Sequence, residues 1–180
     1  MMTVMQWKFW ALTAGIVLIV LGGAFAFFVH TVTEEMTVSS IAFENGKQIP
    51  AKYTCEGVNV SPPLTVMGIP KKAKSLAVIV YDPDVPKTGW VHWLAFGMPP
   101  QSEIPEGITL QPQFSGLNSF KESGYSGPCP PTGTHHYTFT VYAVSTAISF
   151  VKPPDMDTLK RAMKGNVLAR AQMTGVYTHQ

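Results

Sequence analysis

The sequence predicts a β-rich domain, mainly β or α+β, that follows one membrane-spanning helix. Three observations predict this. A 21-residue uncharged segment lies near the N-terminus, within a chain in which only 13% of the 180 residues are charged. Fifteen prolines and fifteen glycines divide the rest into short segments, as turns between strands do. Several of those segments are continuously apolar or alternate between apolar and polar residues.

The N-terminal segment has the length of a membrane span. Residues 9–29, "FWALTAGIVLIVLGGAFAFFV", would form a helix of roughly 30 Å, the thickness of a bilayer's hydrocarbon core. Lys8 and the free amino terminus precede it, so the positive-inside rule places residues 1–8 in the cytoplasm. We therefore predict a single-pass signal anchor with the domain on the extracytoplasmic side.

Two other interpretations of this segment stay open. Ala24-Phe25-Ala26 has the small-x-small pattern of a signal-peptide cleavage site, although cleavage there would leave an apolar mature terminus. A buried soluble helix is the second. No cysteine follows closely, which excludes a lipoprotein anchor.

The remainder has the size of one domain. Residues 30–37, "HTVTEEMT", read as a linker, and residues 38–180 as one globular domain. The net charge is +2 and no basic run is present, so the sequence does not suggest nucleic-acid binding.

Three segments predict strands. "LAVIVY" at 76–81 is continuously apolar, as in a strand covered on both faces, and "VHWLAFGM" at 91–98 is a second candidate. "HYTFTVYAV" at 136–144 alternates, with Tyr137, Phe139 and Val141 on one face. The long Pro-, Gly- and Ser-rich segment 99–133 lies between the second and third, and a segment of that kind either carries function or is mobile.

Helices are predicted only near the C-terminus. Asp155 or Asp157 would cap a helix that runs through Lys164, with Leu159 and Met163 four residues apart. A second short helix is predicted over 166–173.

The segment "YDPDVP" at 81–86 places two carboxylates where a buried strand ends. Pro83 holds Asp82 in an extended conformation, and such a turn can direct one carboxylate inward and one outward. Aspartates beside proline most often bond to nearby amides, so Asp82 and Asp84 could equally be turn residues.

The histidines are the other chemical candidates. His92 lies between Trp90 and Trp93 and could be a buried core histidine or a site residue. His135 and His136 are adjacent in a predicted strand and must point to opposite faces, which disfavours a metal site that uses both.

Enzyme motifs are weak. "GYSGP" at 124–128 ends in proline where a nucleophile elbow needs glycine, and no strand-to-helix turn surrounds it. No metal-ligand spacing is present either.

The two cysteines, Cys55 and Cys129, leave two possibilities. In an oxidising compartment they could form a disulfide, and otherwise they would be independent packed thiols. Neither belongs to a C-x-x-C pair, so zinc is not expected.

Five motifs together resemble the phosphatidylethanolamine-binding protein family, and most closely its bacterial and archaeal branch, described as Raf kinase inhibitor-like. The resemblance covers about residues 38–178, and the ordered set is far more specific than D-P-D-x-P alone. The motifs are "YTCEGVNVSPPL" (53–64), "YDPDVP" (81–86), "WVHWLAFGMP" (90–99), "GPCPPTGTHHYTFTVYAV" (127–144) and "KGNVLARAQMTGVY" (164–177).

The resemblance implies a central antiparallel sheet, short C-terminal helices and a small anion pocket. By motif, Asp84, Pro86 and His136 would be structural, and Tyr177 a less certain pocket member. The family pattern is G-x-H-R, so His136 stands where arginine is expected, and we expect a simple hydrogen bond to Asp84 and a more pH-sensitive domain. The implied pocket residues are Asp82, Trp90, His92, Gly127, Cys129, His135 and Tyr137.

The function that the resemblance implies is non-catalytic binding of phosphoryl-containing ligands such as phospholipid headgroups, without a cofactor or metal. An alternative within the family is a protein modulator, such as a serine protease or kinase inhibitor. An enzyme or a vestigial pocket is the third possibility.

Overall fold

The computed structural model describes residues 35–179. The predicted anchor at 9–29 lies outside these residues. Within the described part, no helix is long and apolar enough to cross a membrane. The strands are β1 (Thr37–Ser39), β2 (Leu64–Met67), β3 (Ser75–Asp82), β4 (Trp90–Met98), β5 (Glu103–Ile104), β6 (Thr134–Val144) and β7 (Val167–Thr178), with one α-helix, α1 (Met156–Met163).

The central sheet is antiparallel and has the strand order β4-β3-β6-β7. Residues 76–80 of strand β3 are continuously apolar because they are covered on both faces. Val78 and Val80 belong to one buried cluster, and Ala77 and Ile79 belong to the other. The prediction of a two-sided buried strand at 76–81 is therefore confirmed, as is that of a strand at 91–98.

The alternation in β6 is also confirmed. Tyr137, Phe139 and Val141 are fully buried in the larger cluster, whereas Tyr142 contributes to the smaller one on the other face. β6 begins at Thr134, two residues earlier than the predicted segment, so His135 already lies within the sheet.

A second, smaller antiparallel sheet has the order β1-β2-β5 and packs against the larger cluster through Leu64, Val66 and Ile104. Met36 is only 4% exposed and β1 starts at Thr37. Ordered packing thus begins at least two residues before the boundary predicted at 38, so residues 36 and 37 are part of the domain and not of a linker.

The first predicted C-terminal helix is present as α1. Asp155 is its N-cap, with the side-chain Oδ1 accepting a 2.8 Å hydrogen bond from the Thr158 amide. Leu159 and Met163 face the smaller cluster, as their four-residue spacing predicts.

The second predicted helix, at 166–173, is wrong, because this segment forms the first half of β7. The whole of β7 pairs with β6, from Val144↔Val167 at one end to Thr134↔Thr178 at the other. Ala171, Met173 and Tyr177 alternate as buried residues, a period-two pattern that competes with the local helical propensity. The ladder with β6 satisfies every second amide of the segment and decides the outcome.

Candidate functional site

A cavity of about 260 Å³ lies at one end of the central sheet. β3 and β4 bring Asp82 and Trp90 together, since these two residues are register partners. β6 supplies His135 and Tyr137, and the segments before β6 close the remaining sides. The lining residues are Asp82, Val85, Trp90, His92, Phe120, Cys129, Pro130, Pro131, His135 and Tyr137.

Asp82 ends β3 and is 2% exposed. Its Oδ1 accepts a 2.8 Å hydrogen bond from the Asp84 amide, and its Oδ2 lies 2.7 Å from His135 Nδ1. Both interpretations of this aspartate therefore hold. It bonds to the amide of its own turn, and it also presents a carboxylate to the cavity.

His135 is the partner of that carboxylate. Its Nδ1 is the nitrogen that faces the Asp82 carboxylate, so Nδ1 carries a proton and donates a hydrogen bond to Asp82. The Nε2 atom is then the ring nitrogen that Asp82 does not engage. When the ring is protonated, the contact becomes an ion pair and Nε2–H becomes a second donor.

His92 is buried in β4 and is held in one tautomer. Its Nδ1 lies 2.6 Å from the Ser126 carbonyl oxygen and must donate to it. Burial lowers the pKa of His92 below its ordinary value, while the Ser126 carbonyl acts in the opposite direction. The neutral ring keeps an unprotonated Nε2, which can only accept a hydrogen bond.

Tyr137 keeps its proton. Burial raises the pKa of its phenol, the negative charge of Asp82 raises it further, and the Cys129 amide acts against both. The ring packs edge-on against His92, with 5.1 Å between the ring centroids. Tyr137 can therefore donate a hydrogen bond over the whole physiological pH range.

Trp90 and Phe120 form an aromatic side of the cavity. Their rings are T-shaped, with centroids 5.3 Å apart, and Phe120 is 45% exposed. The indole Nε1 of Trp90 is buried and has no hydrogen-bond partner within the described residues. A buried donor without a partner is rare, so a cavity occupant with an acceptor atom would stabilise it.

The sequence interpretation missed several lining residues. Val85, Pro130 and Pro131 lie within motifs that it singled out, so their neighbours could have indicated them. Phe120 had no such signal, because it lies in the long segment 99–133.

Asn118, also missed, shapes the loop that carries Phe120. Its Oδ1 accepts from the Phe120 and Glu122 amides, and its Nδ2 donates to Ser126 Oγ. The side chain is 2% exposed. The loop that holds His92 through Ser126 is therefore built around one buried amide.

Gly127 is not among the residues that line the cavity. Its amide already donates to Asn59 Oδ1 at 2.7 Å, and a Cβ at this position would lie 2.3 Å from the Tyr53 carbonyl oxygen. The Asn59 side chain engages the Gly127 amide, so Gly127, one of the implied pocket residues, does not offer this donor to the cavity. Glycine is required here for close packing.

Cys129 does line the cavity and forms a disulfide with Cys55, with their Cα atoms 5.5 Å apart. The sequence left open whether the two cysteines form a disulfide or stay independent thiols, and the structure contains the disulfide.

Asp84, Pro86 and His136 are not among the residues that line the cavity. Asp84 Oδ2 accepts from the His136 amide at 2.7 Å and contacts the His136 ring nitrogen Nδ1 at 2.8 Å. These hydrogen bonds lower the pKa of Asp84. The expected bond between the two side chains is thus present, and Pro86 belongs to the exposed turn between β3 and β4.

Tyr177 is buried, but it does not line the cavity. Its hydroxyl donates to the carboxylate of Glu56, which also contacts His179 Nε2 at 3.1 Å. The sequence interpretation, which treated Tyr177 as a less certain member of the pocket, did not anticipate this carboxylate.

No group of three or more His, Cys, Asp or Glu side chains arranged to hold a metal ion occurs among residues 35–179. The polar groups of the cavity are instead hydrogen-bond donors and acceptors spaced around a small volume. Such a set suits an organic or phosphoryl group.

The fold and motifs match one known family. A family model described as phosphatidylethanolamine-binding protein matches residues 39–178. The chain belongs to the phosphatidylethanolamine-binding protein (PEBP) family. This confirms the resemblance that the motifs indicated.

Relatives from archaea and bacteria support the PEBP assignment. A UPF0098 protein of Pyrococcus abyssi is 44% identical over 153 residues, which are 80% of this chain and 86% of that protein. A UPF0098 protein of Chlamydia trachomatis is 40% identical over 148 residues, 79% of this chain and 98% of its own.

Two solved PEBP structures are similar. The crystal structure of the PEBP homolog CT736 of Chlamydia trachomatis has a TM-score of 0.76 and 39% identity, covering 81% of this chain and 99% of that one. Escherichia coli YbcL, described as a member of the mammalian PEBP family, has a TM-score of 0.74 and 34% identity, covering 82% and 100%.

Proposed function

We propose that this PEBP domain binds small phosphoryl-containing ligands, such as phospholipid headgroups, in the cavity around Asp82 and His135. The observation that carries the proposal is the Asp82–His135 pair, because it places a carboxylate and an ionisable donor side by side in a cavity wall. The name of the matched family model points to the same ligand class.

The polar groups of the cavity define the charge state of the guest. Tyr137 is a donor, and so is Nε1 of Trp90, which has no hydrogen-bond partner among residues 35–179. The His135 ring in its cationic form adds a third donor. Asp82 and the neutral His92 ring are acceptors. A dianionic phosphate would meet the Asp82 charge, whereas a monoprotonated phosphoryl group can donate its proton to an acceptor and use the donors with its other oxygens.

The size and the apolar side of the cavity fit a headgroup. About 260 Å³ is below the range of drug-sized pockets and suits a group of a few heavy atoms. The aromatic side formed by Trp90 and Phe120, together with Asp82, would favour the ammonium end of a zwitterionic headgroup.

We propose that binding is not coupled to catalysis. The described lining includes no serine, threonine or lysine, and the Cys129 sulfur is engaged in the disulfide. A nucleophile with an orienting base is therefore not assembled in the cavity.

We propose further that residues 9–29 tether the domain to the membrane, as their length and apolar character predict. A tether would hold the cavity near lipid headgroups. Expressed protein should stay with the membrane fraction after a carbonate wash, and a soluble product that begins near Phe27 would refute the tether.

Calorimetric titration of the full chain in detergent tests the binding proposal. O-phosphoethanolamine is titrated at pH 6 and pH 7.5, with inorganic phosphate and ethanolamine in separate arms. We expect tighter binding at pH 6, because both a monoprotonated phosphoryl group and a protonated imidazole are favoured there. Absence of heat in every arm would refute the proposal and leave the protein-modulator function as the one to test.

A further inference from the structure

The Cys55–Cys129 disulfide is both part of the cavity wall and open to solvent. Cys129 lines the cavity beside Pro130 and Pro131. Both cysteine residues are exposed. Exposure of both residues favours attack by a small dithiol on the bond in the folded domain.

Hydrogen bonds hold the segment that precedes this wall. Three of them tie residues 125–128 to the segment at 53–59, so this part of the loop stays attached whether or not the disulfide is intact. They join the Tyr125 hydroxyl to the Tyr53 carbonyl at 2.8 Å, the Gly127 amide to Asn59 Oδ1 at 2.7 Å, and the Cys55 amide to the Pro128 carbonyl at 3.1 Å.

The wall itself, residues 129–133, is attached differently. Pro130 and Pro131 have no amide proton and cannot donate to a neighbouring segment. Cys129 carries the disulfide, and its amide faces the Tyr137 hydroxyl. Regular pairing starts again at Thr134, where β6 begins. The disulfide is therefore the covalent attachment of the wall at the point where the hydrogen-bonded segment ends.

We propose that this disulfide is a thiol–disulfide exchange site through which dithiol reductants lower the ligand affinity of the cavity. The proposal rests on the phosphoryl-binding function proposed above. The dithiol is oxidised to its own disulfide, while the Cys55–Cys129 bond breaks and each sulfur gains one hydrogen. The released wall then moves away from the ligand, and the contacts between the ligand and residues 129–131 weaken.

A purely structural bond would behave differently. Cross-linking residues 74 positions apart stabilises the folded state by about 4 kcal/mol in the loop-entropy account, wherever the bond lies. That role predicts a loss of stability on reduction without a change in ligand affinity in the folded protein. Exposed disulfides are also the ones most often reduced under native conditions, whereas buried structural ones resist reduction.

The test compares full-length oxidised and dithiothreitol-reduced protein in detergent. The chain contains two cysteines, so iodoacetamide alkylation counted by mass spectrometry reports complete reduction. O-phosphoethanolamine is titrated into each form. We expect reduction to weaken binding about five- to tenfold, at the low end of coupling between sites. The double variant Cys55→Ser/Cys129→Ser should bind like the reduced protein and be insensitive to dithiothreitol.

A second readout does not depend on the ligand. Hydrogen exchange at the Cys129 amide, which faces the Tyr137 hydroxyl, should become faster on reduction under conditions where the domain stays folded. Exchange at Val78 in β3 should change only by the loss of global stability that denaturation of the two forms measures. If the oxidised protein binds no phosphoethanolamine but exchange still accelerates, the binding function fails and the redox-dependent wall remains. Unchanged exchange, resistance to dithiothreitol under native conditions, or equal affinity of both forms would overturn the inference.

Discussion

His135 Nδ1 lies 2.7 Å from Asp82 Oδ2, across the boundary between β6 and the end of β3. The two residues are 53 positions apart in the chain. The contact brings an ionisable donor to a carboxylate that is 2% exposed. A buried carboxylate needs such a partner, because removing its charge from water is costly unless hydrogen bonds compensate. The pair therefore stabilises the end of the sheet and supplies the cavity with its polar character.

The first prediction concerns Asp82. Asp82→Asn keeps an oxygen acceptor for the Asp84 amide but removes the charge that faces His135. We expect O-phosphoethanolamine binding to weaken about tenfold or more, since a hydrogen bond that involves a charged group contributes about 1.5–3 kcal/mol.

The matched control is Asp157→Asn, which removes an exposed carboxylate in the first turn of α1. It should leave the dissociation constant unchanged. Equal affinity of the Asp82 variant and this control, measured by calorimetry, would show that Asp82 does not contribute to binding.

The second prediction concerns the indole of Trp90. Trp90→Phe removes the Nε1–H donor and keeps an aromatic ring beside Phe120. Because this donor has no partner within the described residues, the free energy of unfolding should stay within about 1 kcal/mol of the wild-type value. Ligand affinity should fall severalfold if the occupant accepts the hydrogen bond. Equal affinity with unchanged stability would mean that the indole donor does not contact the ligand.

The third prediction concerns acid destabilisation through His92. Burial lowers the pKa of His92 below 6.5, so the unfolded chain binds this proton more readily than the folded one. The free energy of unfolding should therefore fall as the pH decreases from about 6.5 toward the folded pKa. Above 6.5 both states are neutral at this position, and His92 contributes no pH dependence.

Chemical denaturation at pH 7.5, 6.5, 5.5 and 5.0 measures this contribution. His92→Gln keeps an N–H for the Ser126 carbonyl but does not titrate. The variant should lose less stability than the wild type between pH 6.5 and 5.0, and the difference isolates His92 from the other histidines. Identical slopes would contradict the assignment.

The fourth prediction concerns the outward pair. His136→Arg places a permanent charge next to Asp84, whose side chain is 39% exposed. Exposed ion pairs contribute about 0–1 kcal/mol, so we expect a gain of roughly 0.5 kcal/mol at pH 8, where a permanent cation differs most from an imidazole. The gain should shrink at high salt. Thermal unfolding at pH 8 and pH 6, at low and high salt, measures it, and a loss of stability at low salt would show that the hydrogen bonds of the imidazole matter more than charge.

The strands were predictable where one physical cause dominated. Burial on both faces of β3 requires an unbroken apolar run, whereas burial on one face of β6 requires alternation of apolar and polar residues. The sequence pattern of each strand therefore indicates how many of its faces are buried. The cap at Asp155 was predictable for the same reason, since a short acceptor side chain before an amphipathic segment satisfies helix amides locally.

The first half of β7 was not predictable from local signals. Residues 167–170 are mostly exposed and carry helix-forming side chains, so their propensity favoured a helix. Pairing with β6 decided for a strand, and residues 46–49 attach to the second half of β7 through Thr174 and Val176. Gly175 takes part in this, because a Cβ there would lie 2.4 Å from the Ile49 side chain.

By itself, the sequence determined the family, the two buried patterns of the central sheet and the identity of the polar cavity residues, because these depend on residue type and spacing within one segment. Only the tertiary structure decided which atoms of those residues remain available to a ligand. His92 Nδ1 donates to the Ser126 carbonyl oxygen, and the Gly127 amide donates to Asn59 Oδ1, so neither group is available to a ligand. Such pairings join segments far apart in the chain, and each depends on where the other segments pack.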